Sequence, residues 1–109
     1  MATFELTRSD NGEFHFNFMD EDDKTILRSE QYGSKASAQN GIESVRSNAG
    51  RDDRYDFKAS SSGKFYFNLK AANGQIVGTS MMYGSDAERE QAVAYVKQGA
   101  AHAGVIEDL

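Results

Sequence analysis

An α+β fold made of two tandem β-β-β-α units, sharing one core and related by a pseudo-twofold axis, is what these 109 residues predict. Two observations carry the prediction. The stretch Phe14-His15-Phe16-Asn17-Phe18 returns as Phe65-Tyr66-Phe67-Asn68-Leu69, 51 positions further on, and its neighbourhood returns with it without a gap. Each copy then passes from period-two alternation to apolar residues at helical spacing: Ala38, Ile42, Val45 and Ala49 in the first, Val93, Val96 and Ala100 in the second. A three-stranded meander with one helix buries too little to be stable alone, so the two units must bury their apolar faces together.

Taken in order, Phe4 to Ser9 alternates apolar and polar residues as a first strand. Asp10-Asn11-Gly12 predicts a type I′ hairpin turn, because Asn-Gly tolerates the positive φ angles such turns require. The strand over Phe14 to Phe18 follows, its phenylalanines toward the core and His15 and Asn17 toward the other face. The acidic connection Asp20-Glu21-Asp22-Asp23-Lys24 leads to a third strand over Thr25 to Glu30. Ser34 is the predicted N-cap of a helix over Lys35 to Asn48, and Ala49-Gly50 closes it. In the second copy Tyr55 and Phe57 stand for Phe4 and Leu6, Ser62-Gly63 and Asn73-Gly74 make the turns, and Ile76 to Met81 is the third strand. Ser85 and Glu88 predict a capping box in which each satisfies the other's free amide, opening a helix that runs to about Gln98. These spacings divide the single domain into repeats 1–50 and 52–101 with a tail over 102–109. For Val105 to Leu109 both a docked strand and a loose end remain open.

Composition narrows the chemistry. With no cysteine there is no disulfide, thiolate zinc site or cysteine nucleophile. The N-terminus has neither a basic start nor an apolar run, and no segment approaches the ~20 apolar residues of a membrane span, so the sequence reads as cytoplasmic. A net charge of -5 opposes nonspecific attraction to phosphate backbones and anionic lipid.

At Tyr32-x-Ser34-Lys35-Ala36, followed by Asn40-Gly41-Ile42-x-Ser44-Val45, the sequence resembles the bacterial YegP-like proteins, and the resemblance spans nearly the whole chain. It implies one six-stranded antiparallel sheet, with two helices packed on one face and exchanged between the halves. It implies no biochemical activity. The second copy departs from the pattern at Asp86, Gln91, Ala92 and Tyr95, so a function using those polar positions would exist once.

Each candidate site also admits a plain structural role. The acidic run Asp20 to Asp23 lacks the spaced ligands and closing glutamate of a calcium loop and reads as a solvated turn, so no metal is assigned. His15 and His102 are the only histidines, no Gly-x-Ser-x-Gly elbow or phosphate-cradling loop is present, and neither catalytic residues nor a cofactor are assigned. Asn17 and Asn68 are the sharper observation, since asparagine is disfavoured in strands and both copies keep it. Either the amide bonds a neighbouring strand, or His15, Asn17, Tyr66 and Asn68 form a binding face. Tyr32-Gly33-Ser34 and Tyr83-Gly84-Ser85 repeat at the strand-to-helix junction, where a glycine in an unusual backbone conformation and a capping serine are expected. The tyrosines would pack on the sheet edge or border a groove between the repeats. The functional expectation is a non-enzymatic module that binds a protein or peptide through its open sheet face. A weak single-stranded nucleic-acid binder using the same face is the alternative, and an enzyme comes third. Because tandem copies satisfy each other, a monomer is the simpler expectation.

Overall fold

The computed structural model describes residues 2–109, so Met1, counted in the first repeat, lies outside them. In chain order the elements are β1 (Thr3–Arg8), β2 (Phe14–Met19), β3 (Thr25–Arg28), α1 (Lys35–Asn48), β4 (Tyr55–Ala59), β5 (Phe65–Lys70), β6 (Ile76–Ser80), α2 (Asp86–Gly99) and β7 (Gly104–Asp108). Short 3₁₀ turns at Asp52–Arg54 and Ala100–His102 follow the helices.

The strands form one sheet in the order β4-β5-β6-β3-β2-β1-β7. Instead of the expected six antiparallel strands, the sheet has seven and is mixed, because the tail becomes β7 and pairs with β1 in parallel, Phe4 opposite Val105 and Glu5 opposite Ile106. Parallel neighbours need a long crossover, and the whole domain supplies it. α2 delivers the chain to the far edge of the first repeat, where Ala2 lies against Gly99.

The repeats join along β3 and β6, with Leu27 opposite Ser80 and Arg28 opposite Thr79. Arg28 and Thr79 are counterparts under the repeat, so the pseudo-twofold axis passes between them. Two identical large residues could not both lean across this axis. Leu27, fully buried, leans over its counterpart Gly78, where an added Cβ would lie 2.7 Å from the Leu27 side chain.

The helices pack on one sheet face over Phe4, Leu6, Phe16, Phe18, Phe67 and Leu69, all fully buried. Rather than being cleanly exchanged, they straddle the halves. α1 touches β1 and β2 as well as β5 and β6, while α2 packs on β5 and reaches the first repeat through Tyr95, whose ring centroid lies 6.0 Å from that of Phe18.

The turn at Asp10-Asn11-Gly12 differs from the expected type I′ form. Asn11 is not in the left-handed region, and only Gly12 (φ +85°) and its counterpart Gly63 (φ +83°) are, so both hairpins are type I turns closed by a glycine bulge. The β2-β3 turn places Asp23 at φ +62° where the second repeat uses Gly74. Ser34 and Ser85 cap their helices, accepting from the amides of Ser37 and Glu88. The Glu88 carboxylate accepts from the Ser85 hydroxyl at 3.2 Å, not from its amide, so the predicted box closes through side chains. Among the described residues no helix is long and apolar enough to cross a membrane.

Candidate functional site

Among the described residues nothing forms a layer over the sheet face away from the helices. Strand pairing from β4 to β1 lines up one residue from each of these six strands into a row across it: Asp56, Asn68, Thr79, Arg28, Asn17 and Glu5. This row contains both conserved-by-repeat asparagines. They are only 9% and 8% exposed, and each is tied to the neighbouring strand. Asn17 Oδ1 accepts from Arg28 Nε at 3.3 Å, and Asn68 Oδ1 accepts from Thr79 Oγ1 at 2.8 Å. An amide in a strand is therefore rewarded by a cross-strand hydrogen bond, and what it presents outward differs between the repeats: a guanidinium in one, a hydroxyl and methyl in the other.

His15 and Tyr66 occupy matching places two residues before the asparagines and are half-buried. His15 Nδ1 lies 2.9 Å from Ser9 Oγ, which in turn donates to Gln31 at 2.7 Å. Tyr66 stands opposite Lys58, and Asp56 pairs with Lys58 at 3.3 Å and Lys70 at 3.9 Å. Arg28 is exposed and, among the described residues, has no ion-pair partner. Sequence reasoning missed Arg28, whose signal was its position opposite Asn17 in a meander register.

The strand-to-helix triplets sit on the helix side, away from this row. Tyr32 and Tyr83 each exchange both backbone hydrogen bonds with Phe14 and Phe65, which anchors the chain before it turns into the helix. Gly33 and Gly84 do not take the unusual backbone angle expected of them; the left-handed glycines are Gly12, Gly63 and Gly74. Both tyrosines border grooves between the repeats. Tyr32 stacks on Phe16 with centroids 6.2 Å apart, and its hydroxyl occupies the space over Gly41 where a Cβ would stand. Ala92 fills that place with a methyl in the second repeat. Tyr83 lines a groove of about 450 Å³ with Lys24, Ile26, Met81, Met82 and Glu88, its hydroxyl buried and, among the described residues, without a hydrogen-bond partner. Desolvation, and then the charges of Asp20 and Glu88, hold that phenol above its usual pKa.

A family model described as a domain of unknown function, DUF1508, matches the chain twice, over residues 9–56 and 60–107. The chain belongs to the DUF1508 family. The first match runs from just after β1 into β4, and the second from just after β4 into β7. The chain is 52% identical over 94 residues to the UPF0339 protein YegP of Escherichia coli K12, covering 86% of each. It is 45% identical over 107 residues to a UPF0339 protein of Pseudomonas aeruginosa, covering 98% of this chain and 97% of that one. The solution structure of YegP from E. coli, a protein of unknown function, superposes with a TM-score of 0.93 at 47% identity, over 98% of this chain and 92% of that one. A Shewanella oneidensis UPF0339 structure gives 0.92 at 40% identity, covering 97% and 90%.

Proposed function

We propose that this chain is a non-enzymatic interaction module that binds a protein or peptide through its open sheet face. The supporting observation is the unpaired, exposed Arg28 at the centre of the cross-sheet row, held by Asn17 and flanked by Thr79. The face carries both signs, with Glu5 and Asp56 beside Arg28, Lys58 and Lys70, and half-buried Tyr66 supplies an aromatic surface. Mixed charge around an arginine and a tyrosine suits a protein surface, where these two residue types dominate binding energy. A phosphate backbone would meet a chain of net charge -5. In this reading the asparagines are supports and the contacting atoms belong to Arg28, Tyr66 and His15.

A pull-down from lysate of the native cell, with and without nuclease, tests the reading. A protein captured by wild type, retained after nuclease, lost with Arg28→Ala plus Tyr66→Ala and kept by a Gln39→Ala control on α1 is the expected result. Capture that vanishes with nuclease supports the nucleic-acid alternative, and capture unaffected by the double variant refutes the face.

A further inference from the structure

The two ends of the sheet are unlike. At one end β7 covers β1, and Leu6 there is fully buried; at the other β4 is the outermost strand, and Phe57, the counterpart of Leu6, is 51% exposed. The direction of the free backbone groups follows from the bonds already made. Ser60 N–H donates to Lys64 at 2.8 Å, toward β5, while Phe65 exchanges its bonds with Tyr83 on the opposite side. Along β4 the N–H and C=O groups of Asp56 and Lys58 therefore face β5, and those of Phe57 face outward, where among the described residues no strand meets them.

We propose that β4 is the interface of a homodimer, in which two copies of this chain pair β4 antiparallel about a twofold axis at Phe57. In that register the two Phe57 residues exchange N–H···O=C bonds, and Ala59 N–H faces the carbonyl of the partner's Tyr55, whose own N–H is already bonded to Asp52 within its chain. On the helix side Phe57 meets the partner's Phe57, next to Arg89, whose guanidinium lies 4.9 Å from the ring centroid. On the open side Asp56 stands opposite the partner's Lys58, and Lys58 opposite the partner's Asp56, the cross-strand arrangement that opposite charges favour. The edge is self-complementary, which a twofold interface requires. The outer edge of β7 is not: pairing about Ile106 would set Glu107 against Val105 and Asp108 against Gly104. Pairing of the repeats along β3 and β6 satisfies the inner strands and leaves β4 for a second copy.

Sedimentation across about 10 μM to 1 mM is the test, a range suited to an interface this small. The wild type should rise from one chain toward two. Asp56→Lys sets like charges against each other at both symmetric positions and should weaken association roughly tenfold or more. Adding Lys58→Asp restores opposite charges and should bring the dimer back, with far-ultraviolet dichroism unchanged throughout. A wild type that stays at one chain up to the highest concentration overturns the proposal. So does an Asp56→Lys variant that associates as wild type does, or a folded charge-swapped variant that stays monomeric.

Discussion

Replacing Leu27 and Gly78, singly and together, probes the seam between the repeats. Leu27 is fully buried, so Leu27→Ala should cost about 2–5 kcal/mol in lost transfer energy plus the cavity left behind. Gly78→Ala brings a methyl to 2.7 Å from Leu27 Cγ and Cδ2. Relief of the glycine's entropic penalty in a strand is worth about 0.5–1 kcal/mol, while forcing the leucine aside costs about 1–3 kcal/mol. The net expectation is a loss of about 1–2 kcal/mol. In the double variant the new methyl enters space that the leucine has vacated, so the combined loss should fall short of the sum by about 1–2 kcal/mol, within the range found for residues in contact. Urea denaturation followed by far-ultraviolet dichroism measures all corners of the cycle, with Leu27→Val substituting if the alanine variant is unfolded. Losses that add to within about 0.5 kcal/mol would refute the claim that this pair fits as large against small across the axis.

Ser29 and Ser80, counterparts under the repeat, accept from the buried amides of Phe16 and Phe67 at 2.8 and 2.9 Å; alanine at either should cost about 1–3 kcal/mol in thermal denaturation, and by similar amounts, because each strands a buried donor. Tyr95 donates to the Glu21 carboxylate, the largest cause of that group's lowered pKa. Tyr95→Phe should therefore raise it toward the ordinary carboxylate value in a proton-detected titration. A depressed carboxyl supports the fold above its ordinary pKa and loses that support as pH falls through the folded value, so the variant should show a weaker acid dependence of stability. At the alkaline end, burial raises the phenols of Tyr32, Tyr55, Tyr83 and Tyr95, the last to about 12. Their raised values mean the folded state keeps protons that the unfolded state releases. Stability should be intact below about pH 10 and fall as pH climbs from there toward 12, with tyrosinate absorbance appearing together with unfolding.

The repeat made most of the fold legible. Phenylalanine alternation located β2 and β5, and Ser34 and Ser85 located the helix starts, because those signals are local. What lay beyond them was set by contacts that no short window contains. The tail became a strand because α2 ends beside Ala2, a consequence of helix placement that Val105 and Ile106 alone do not encode. The first hairpin turn took a bulge rather than the type I′ form because one left-handed residue, Gly12, sufficed. At the candidate site the asparagines stood out from their strand neighbours, but their partners, Arg28 and Thr79, became visible only with register. The side chain that fills the space over Gly41, that of Tyr32, likewise became visible only with the packing of α1.

Whether the open sheet face is the binding surface is best tested by recording amide spectra of the isotope-labelled chain in buffer and in native cell lysate. Signal loss should concentrate at Arg28, Tyr66, Thr79 and His15 and spare α1 and α2. Loss confined to the helices, or no change beyond a uniform viscosity broadening, would contradict it.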